Sequence, residues 1–154
     1  MIKRKPRVIV TRKVPDEIET RMMELFNVKL NATDIPFTKN DLRSAVETYD
    51  VIVPTLTDNI DSDLLTAANG KLKLIANFGS GTDHIAVAQA ISSNIVVTNT
   101  PDVLTDDTAD MAMALILGVP RRLVEGAIMI ESNQFQGCRP PHMLGRRMSV
   151  KRLG

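Results

Sequence analysis

Short runs of Val, Ile and Leu alternate along the chain with longer stretches in which apolar residues recur every three or four positions. The apolar runs predict five strands, at residues 7–11, 28–31, 51–54, 72–78 and 94–99. The stretches between them predict four helices, at residues 15–26, 39–49, 61–68 and 84–93. Because strands that alternate with helices usually pair in parallel, the pattern predicts an α/β fold with a flavodoxin-like, doubly wound five-stranded parallel sheet.

Three residues predict where helices of this domain begin. Pro15 stands at a first-turn position, and Thr38 is followed three residues later by Asp41. Asp83 precedes the apolar stretch "HIAVA". These residue types are typical of helix N-termini, so we expect helices to start at each of the three places.

The pattern changes near residue 100. The segment "TPDVLTDDTADMAMALILGVPRRLVEGAIMI" predicts a turn, a helix cap at Thr105 and one long helix, which Gly118 and Pro120 should kink. The residues that follow are punctuated by Gly and Pro and predict an extended arm. We therefore expect one domain over residues 1–100, and a hinge helix with an arm over residues 101–154.

Composition and charge narrow the classes of partner. The chain is 44% hydrophobic and 24% charged, and its formal net charge of +1 gives no argument for nucleic acid or an anionic membrane. Its apolar stretches are far shorter than the roughly 20 residues that span a bilayer. The single cysteine, Cys138, cannot form an intramolecular disulfide. We therefore expect a cytoplasmic protein with small-molecule or protein partners.

The stretch "ANFGSGTDHI" places a Gly-x-Gly turn directly after a predicted strand. A dinucleotide-binding loop needs a third glycine, where this chain has His84, and an acidic residue about 20 positions on. The sequence therefore argues against a pyrophosphate site. Two interpretations remain open: a plain tight turn, or a loop whose backbone N–H groups at Ser80, Gly81 and Thr82 bind a compact anion such as a carboxylate.

Other chemistry finds little support in the residue pattern. A phosphoacceptor domain would need an Asp after the third strand, where this chain has Pro54 and Thr55. His84 and His142 have no neighbouring ligand or nucleophile, so we interpret both as packing or surface residues. We interpret an acidic cluster as favouring a helix N-terminus and not as a metal site; its members are Asp102, Asp106, Asp107 and Asp110.

Three segments together carry a family resemblance: "NFGSGTDHI", "VVTNTPDVLTDDTADMAMALIL" and "PRRLVEG". With them the chain resembles the D-isomer-specific 2-hydroxyacid dehydrogenases, especially the glyoxylate/hydroxypyruvate reductase branch, over nearly its whole length. The resemblance implies an oxidoreductase acting on CH–OH groups, in which a small 2-oxo acid is reduced to a 2-hydroxy acid with NADH or NADPH. It also implies a flavodoxin-like substrate domain built around a Rossmann coenzyme domain.

The resemblance assigns roles to four residues. It implies that the backbone amides of Ser80 and Gly81 hold the substrate carboxylate and that Leu56 lines the substrate pocket. Thr108, at the start of the long helix, would approach the nicotinamide end of the coenzyme. The family's long helix and arm also contact a second subunit, so we expect a homodimer formed through this region.

The chain departs from the family pattern at several positions. Ala86 stands where the family usually has an acid, and Phe135, Cys138 and His142 stand where the reductase branch typically has tryptophans. The sequence ends at Gly154, where the family continues into its coenzyme loop and, later, its catalytic residues. We therefore expect a truncated dehydrogenase with no catalytic residue, no metal and no bound NAD or NADP. The alternative is a non-catalytic remnant that binds carboxylates or dimerises.

Overall fold

The structure, a computed structural model, describes residues 4–152, and the chain divides into two compact units between Val103 and Leu104. The strands of the first unit are β1 Arg7–Val10, β2 Asn27–Lys29, β3 Val51–Val53, β4 Leu74–Ala76 and β5 Val96–Thr98. Its helices are α1 Asp16–Leu25, α2 Lys39–Thr48, α3 Ser62–Ala67 and α4 Val87–Ser92. The second unit contains α5 Thr105–Gly118 and α6 Leu123–Glu131.

The five strands form one parallel sheet in the order β2-β1-β3-β4-β5. This is the strand order of flavodoxin-like folds, so the predicted fold class is confirmed. The observed strands are only three or four residues long and lie inside the predicted apolar runs, except that β2 begins one residue earlier, at Asn27.

The main hydrophobic core lies between the sheet and helices α2, α3 and α4. Ile9, Ile52 and Ile75 project from the three central strands and are at most 3% exposed. Val8 and Val10 are also buried, and because side chains alternate along a strand they face the other side of the sheet, where the rule of right-handed crossovers puts α1. The helices contribute Leu42, Val46, Leu64 and Leu65 to the core, and the connecting segments contribute Ile60, Leu72, Ile85 and Ile95.

The predicted helix starts differ in their outcome. Thr38 caps α2 through a reciprocal capping box with Asp41, and Pro15 is the residue before the first helical position of α1. Asp83 is not a cap, because α4 begins only at Val87. Residues 83 and 84 instead form a turn, in which the Ile85 N–H donates to the Thr82 carbonyl at 2.9 Å, and Ile85 then pairs with Ile60 in a parallel bridge.

The second unit has two helices where the sequence predicted one kinked helix. Helix α5 ends at Gly118, and α6 begins after Arg122, whose φ of 55° lies in the left-handed region. Pro120 cannot donate a backbone N–H to continue α5, and its carbonyl accepts the Arg146 N–H at 2.7 Å. The predicted cap is also displaced: Thr105 is the first helical residue, and Leu104 precedes it without a side-chain bond.

The residues after α6 contain no further helix or strand within the part that the structure describes, up to residue 152. Among residues 104–152, none is buried. None of the helices within residues 4–152 combines the length and the apolar character that crossing a bilayer requires.

Candidate functional site

The loop that follows β4 lies at the carboxyl edge of the sheet, between the loops that follow β3 and β5. The Asn77 backbone N–H donates to the Thr98 carbonyl at 2.8 Å, and the Phe78 N–H donates to the Pro54 carbonyl at 2.9 Å. These bonds bring three strand ends together. In doubly wound sheets, ligands bind beyond the carboxyl ends of the strands, so this edge is the place to look for a site.

Every carbonyl in the Gly79–Ser80–Gly81 segment accepts a hydrogen bond from within the first unit. The Asn77 side-chain amide donates to the Gly79 carbonyl at 3.0 Å and to the Gly81 carbonyl at 2.9 Å. The Ser80 carbonyl accepts from Asn99 Nδ2 at 2.7 Å. The Thr100 N–H adds a second bond to the Gly79 carbonyl, at 3.1 Å. The loop is therefore held firmly through its oxygens.

The corresponding N–H groups remain free to bind a ligand. Within residues 4–152, the backbone N–H groups of Ser80, Gly81 and Thr82 donate to no acceptor. In a trans peptide unit the N–H points away from the C=O of the same unit. Each of these donors therefore points away from the group that holds its carbonyl. Three successive free donors can bind an anion.

His84 is part of the support of this loop. Its Nε2 lies 3.0 Å from Asn77 Oδ1. Because both hydrogens of the Asn77 amide are directed at carbonyl oxygens, Oδ1 must be the acceptor and His84 must carry its hydrogen on Nε2. The His84 imidazole, at the third glycine position of a dinucleotide motif, thus helps to hold the loop through its bond to Asn77.

Leu56 lies directly against the loop from the β3 side. A Cβ placed on Gly79 would be 3.0 Å from Leu56 Cδ2, and the Leu56 side chain is 61% exposed. Its own loop is fixed by the buried Asp58, which accepts from the Thr55 N–H at 2.8 Å and the Thr11 hydroxyl at 2.6 Å. A side chain at position 79 would therefore need the Leu56 side chain to shift by a few tenths of an ångström.

The guanidinium of Arg12, which follows β1 at this edge, is already engaged. Arg12 donates to the Asp34 carboxylate at 2.8 and 3.1 Å and contacts Thr57 Oγ1 at 3.4 Å. The hydrogen bond from Arg12, helped by the Lys13 backbone N–H, lowers the pKa of Asp34 to about 2. The same bond raises the pKa of Arg12. An anion at the loop would therefore depend chiefly on backbone dipoles.

The remaining predicted site residues lie elsewhere or form no cluster. Thr108 lies exposed in the second unit, and its backbone N–H donates to the Leu104 carbonyl at 3.0 Å. Among the described residues, no three His, Cys, Asp or Glu side chains are placed to hold a metal ion. Asp106 and Asp107 occupy the first turn of α5, as the helix-terminus interpretation requires.

Sequence reasoning missed the asparagines that hold the loop. Asn77 is 3% exposed, and Asn99 reaches the loop from the end of β5. The signal that could have found them was a polar residue at the end of each of two neighbouring strands, since both strand ends meet at one edge of a parallel sheet.

Comparison with known proteins supports one family. A sequence model described as "D-isomer specific 2-hydroxyacid dehydrogenase, catalytic domain" matches residues 8–143. The chain belongs to this family. It is 36% identical to a glyoxylate reductase of Thermococcus litoralis, over 97% of this chain and 46% of that protein. It thus spans about half the length of the curated relatives that it matches.

Solved structures agree with that assignment. The TT0316 protein of Thermus thermophilus superposes with a TM-score of 0.78 at 36% identity, over 90% of this chain and 44% of that one. An NADPH-dependent glyoxylate/hydroxypyruvate reductase of Sinorhizobium meliloti, in complex with NADP and malonate, gives a TM-score of 0.67 at 29% identity. That match covers 88% of this chain and 41% of the reductase.

The residues of this loop do not fit a dinucleotide. His84 replaces the third glycine and bonds to Asn77, and Leu56 occupies the space beside Gly79. The glycines of a dinucleotide loop serve close approach of a pyrophosphate and close packing of the following helix. The Gly79 loop offers neither.

Proposed function

We propose that the first unit binds the carboxylate of a small 2-oxo or 2-hydroxy acid, as the substrate-binding part of an NAD(P)H-dependent dehydrogenase of glyoxylate or hydroxypyruvate. The observation that carries the proposal is the set of three free N–H groups at Ser80, Gly81 and Thr82, whose carbonyls are all held by the protein. Three preorganised donors suit a carboxylate, because they need no rearrangement when the anion arrives.

Leu56 gives the site an apolar wall. It lies beside Gly79 and is largely exposed, so a ligand carboxylate on the loop would place its carbon chain near this side chain. The Sinorhizobium reductase binds malonate, which supports a carboxylate ligand for the family. The role of these residues is to bind and orient the acid. Coenzyme binding, with Thr108 near the nicotinamide, belongs to the same proposal for the whole enzyme.

Titration of the 154-residue chain with glycolate, followed by amide NMR, tests this site. We expect the N–H resonances of Ser80 and Gly81 to shift downfield and saturate. Glycolamide is the matched control, since it has nearly the same size and no charge, and it should leave both resonances in place. Saturable shifts at another surface, with none at these amides, would refute the proposal.

A nearby carboxylate offers an internal check. Asp83 Oδ2 lies 3.8 Å from the position that a Cβ on Gly81 would occupy. Its negative charge opposes an anion on the loop, so Asp83→Asn should tighten glycolate binding several-fold at low salt. Asp63→Asn, on an exposed position of α3, is the matched control and should leave the affinity unchanged.

The same proposal predicts that the 154-residue chain does not by itself reduce glyoxylate. The loop donates only backbone N–H groups to the acid, and it does not fit the dinucleotide from which a hydride would come. The measurement is consumption of NADH or NADPH by the purified chain in the presence of glyoxylate. Sustained turnover that copurifies with the chain would contradict the prediction.

We further propose that the second unit forms a homodimer interface. Large apolar side chains of α5 and α6 are more than half exposed, including Met111, Met113, Leu115, Leu117, Leu123, Val124, Ile128 and Ile130. Contiguous apolar surface of this kind favours association. Sedimentation equilibrium should show a dimer that Leu115→Asp weakens by roughly tenfold or more. Leu25→Asp, on the exposed side of α1, is the control that should leave it intact.

A further inference from the structure

We propose that Asn77 and Asn99 are positioning residues, each of which aims particular amides of the anion site. Asn77 holds the Gly79 carbonyl and so directs the N–H of Ser80. Asn99 holds the Ser80 carbonyl and so directs the N–H of Gly81. The inference rests on the proposed function, because it concerns how the same carboxylate site is built.

The planarity of the peptide unit links each held carbonyl to one N–H. Rotating the N–H of a peptide unit requires its C=O to rotate with it. A hydrogen bond that fixes the oxygen therefore fixes the direction of the N–H in the same unit. By its second bond, to the Gly81 carbonyl, Asn77 also directs the N–H of Thr82. Asn77 thus directs the N–H of Thr82 and shares that of Ser80 with the Thr100 N–H, while Asn99 directs the N–H between them.

The segment needs such control because of its composition. Gly79 and Gly81 have no Cβ, so their backbone torsions are restricted less than those of other residues. Without side-chain donors, the peptide units between them could turn their N–H groups away from a ligand. Holding them in advance removes an ordering cost from ligand binding. Gly79 lets Leu56 approach closely, and the asparagines compensate for the freedom that this glycine brings.

Asparagine suits position 77 because its amide has two hydrogens and one acceptor. Both hydrogens are directed at carbonyls of the loop, and Oδ1 accepts from His84 Nε2. An aspartate of the same shape would place oxygen against oxygen at about 3 Å. The bond from His84 keeps the amide from flipping, so His84 acts on the loop through Asn77.

The test measures the direction of each N–H without ligand, by residual dipolar couplings in the 154-residue chain. In Asn99→Ala the coupling of Gly81 should change while that of Ser80 stays the same. In Asn77→Ala the coupling of Thr82 should change while that of Gly81 stays the same, and that of Ser80 should change less than that of Thr82, because the Thr100 N–H still holds the Gly79 carbonyl. Asn27→Ala, on an exposed residue of β2, the outer strand farthest from β5, should change none of these couplings.

Asn77 is buried, so its variant could lose the fold, and His84 provides a second route. His84→Gln keeps a donor toward Asn77 Oδ1 and should retain the wild-type couplings. His84→Leu removes that donor and should change the coupling of Thr82, as Asn77→Ala does. Unchanged couplings in both Asn99→Ala and His84→Leu would overturn the proposal, as would a uniform change at all three amides in either variant.

Affinity for glycolate separates this inference from the proposed function. Asn99→Ala should weaken glycolate binding by about tenfold, the effect of losing one well-directed hydrogen bond to a charged group. If the wild-type chain binds no glycolate but the couplings change as expected, the proposed function is wrong and the positioning role stands. If the wild type binds and Asn99→Ala binds equally well, the positioning role is wrong and the function stands.

Discussion

The two units of the chain use their apolar residues in opposite ways. In the first unit, Ile52, Ile60, Leu64 and Ile75 are each fully buried between the sheet and its helices. In the second unit, residues 104–152 include no buried residue, and most of the large apolar side chains of α5 and α6 are more than half exposed. A similar supply of apolar residues thus forms a core in one unit and a surface in the other.

This difference teaches that hydrophobic residues stabilise a fold only where the topology provides a second layer. The first unit has such a layer because parallel strands require crossover helices, which cover the sheet. Over residues 104–152 the second unit contains two helices and no strand, so it has no sheet of its own. Apolar helices without a layer favour association with another surface.

The largest expected effect comes from replacing one leucine in each unit by alanine and comparing the loss in the free energy of unfolding. Leu64→Ala removes a fully buried side chain from α3 and should lower the free energy of unfolding by about 2–5 kcal/mol. Leu115→Ala makes the same change at a residue that is 58% exposed and should alter it by about 0.5 kcal/mol or less. Urea denaturation, at concentrations where the chain is monomeric, measures both. Equal losses would show that the second unit has a core of its own.

A smaller effect distinguishes the helix starts of the two units. Thr38→Ala removes a capping box from α2 and should cost about 1 kcal/mol. Thr105→Ala changes the first helical residue of α5, which makes no capping bond, and should be nearly neutral. The midpoint of urea unfolding measures both variants. A comparable loss in Thr105→Ala would show that Thr105 caps α5, as the sequence predicted, although the structure places the N-cap at Leu104.

The fold of the first unit could be predicted because its signals are local. Apolar runs such as "RVIV" and "LIA" predict strands by themselves, and the rules of parallel crossovers leave few ways to arrange them. The start of α4 was predicted wrongly because the bridge between Ile60 and Ile85 joins distant residues. Likewise, Gly118 and Pro120 predicted a disturbed helix, but the left-handed Arg122 that separates α5 from α6 has no local signal.

Less of the candidate site than of the fold could be predicted from the sequence. The motif around Gly79 and Gly81 indicated either a tight turn or an anion-binding loop, since a short loop after a strand leaves backbone donors free. The supports of that loop were not predictable from spacing. Asn99 is 19 residues from Ser80 along the chain and reaches it only because β4 and β5 are neighbours. Contacts of this kind follow from strand order, which the sequence pattern alone leaves open.

The smallest effect concerns two ion pairs of similar exposure. The side chains of Asp34 and Glu125 are 47% and 55% exposed, and each pairs with an arginine. Asp34 accepts two bonds from Arg12 and one from the Lys13 backbone N–H, whereas Glu125 accepts one bond from Arg122. The pair in the first unit joins distant segments, and the pair in the second lies within one helical turn.

The Asp34 pair should therefore make stability depend on pH. The hydrogen bond from Arg12 lowers the pKa of Asp34 to about 2, below its ordinary value of 3.8. A carboxyl whose pKa is lower in the folded state stabilises the fold above its unfolded pKa, and this contribution is lost as the pH falls toward 2.

The urea midpoint of the wild type should exceed that of Asp34→Asn at pH 6, and the gap should close between about pH 4 and 2. Glu125→Gln should shift the midpoint little, because an exposed single-contact pair contributes little. A constant gap between wild type and Asp34→Asn across this range would show that Arg12 binds the asparagine as well as it binds the carboxylate.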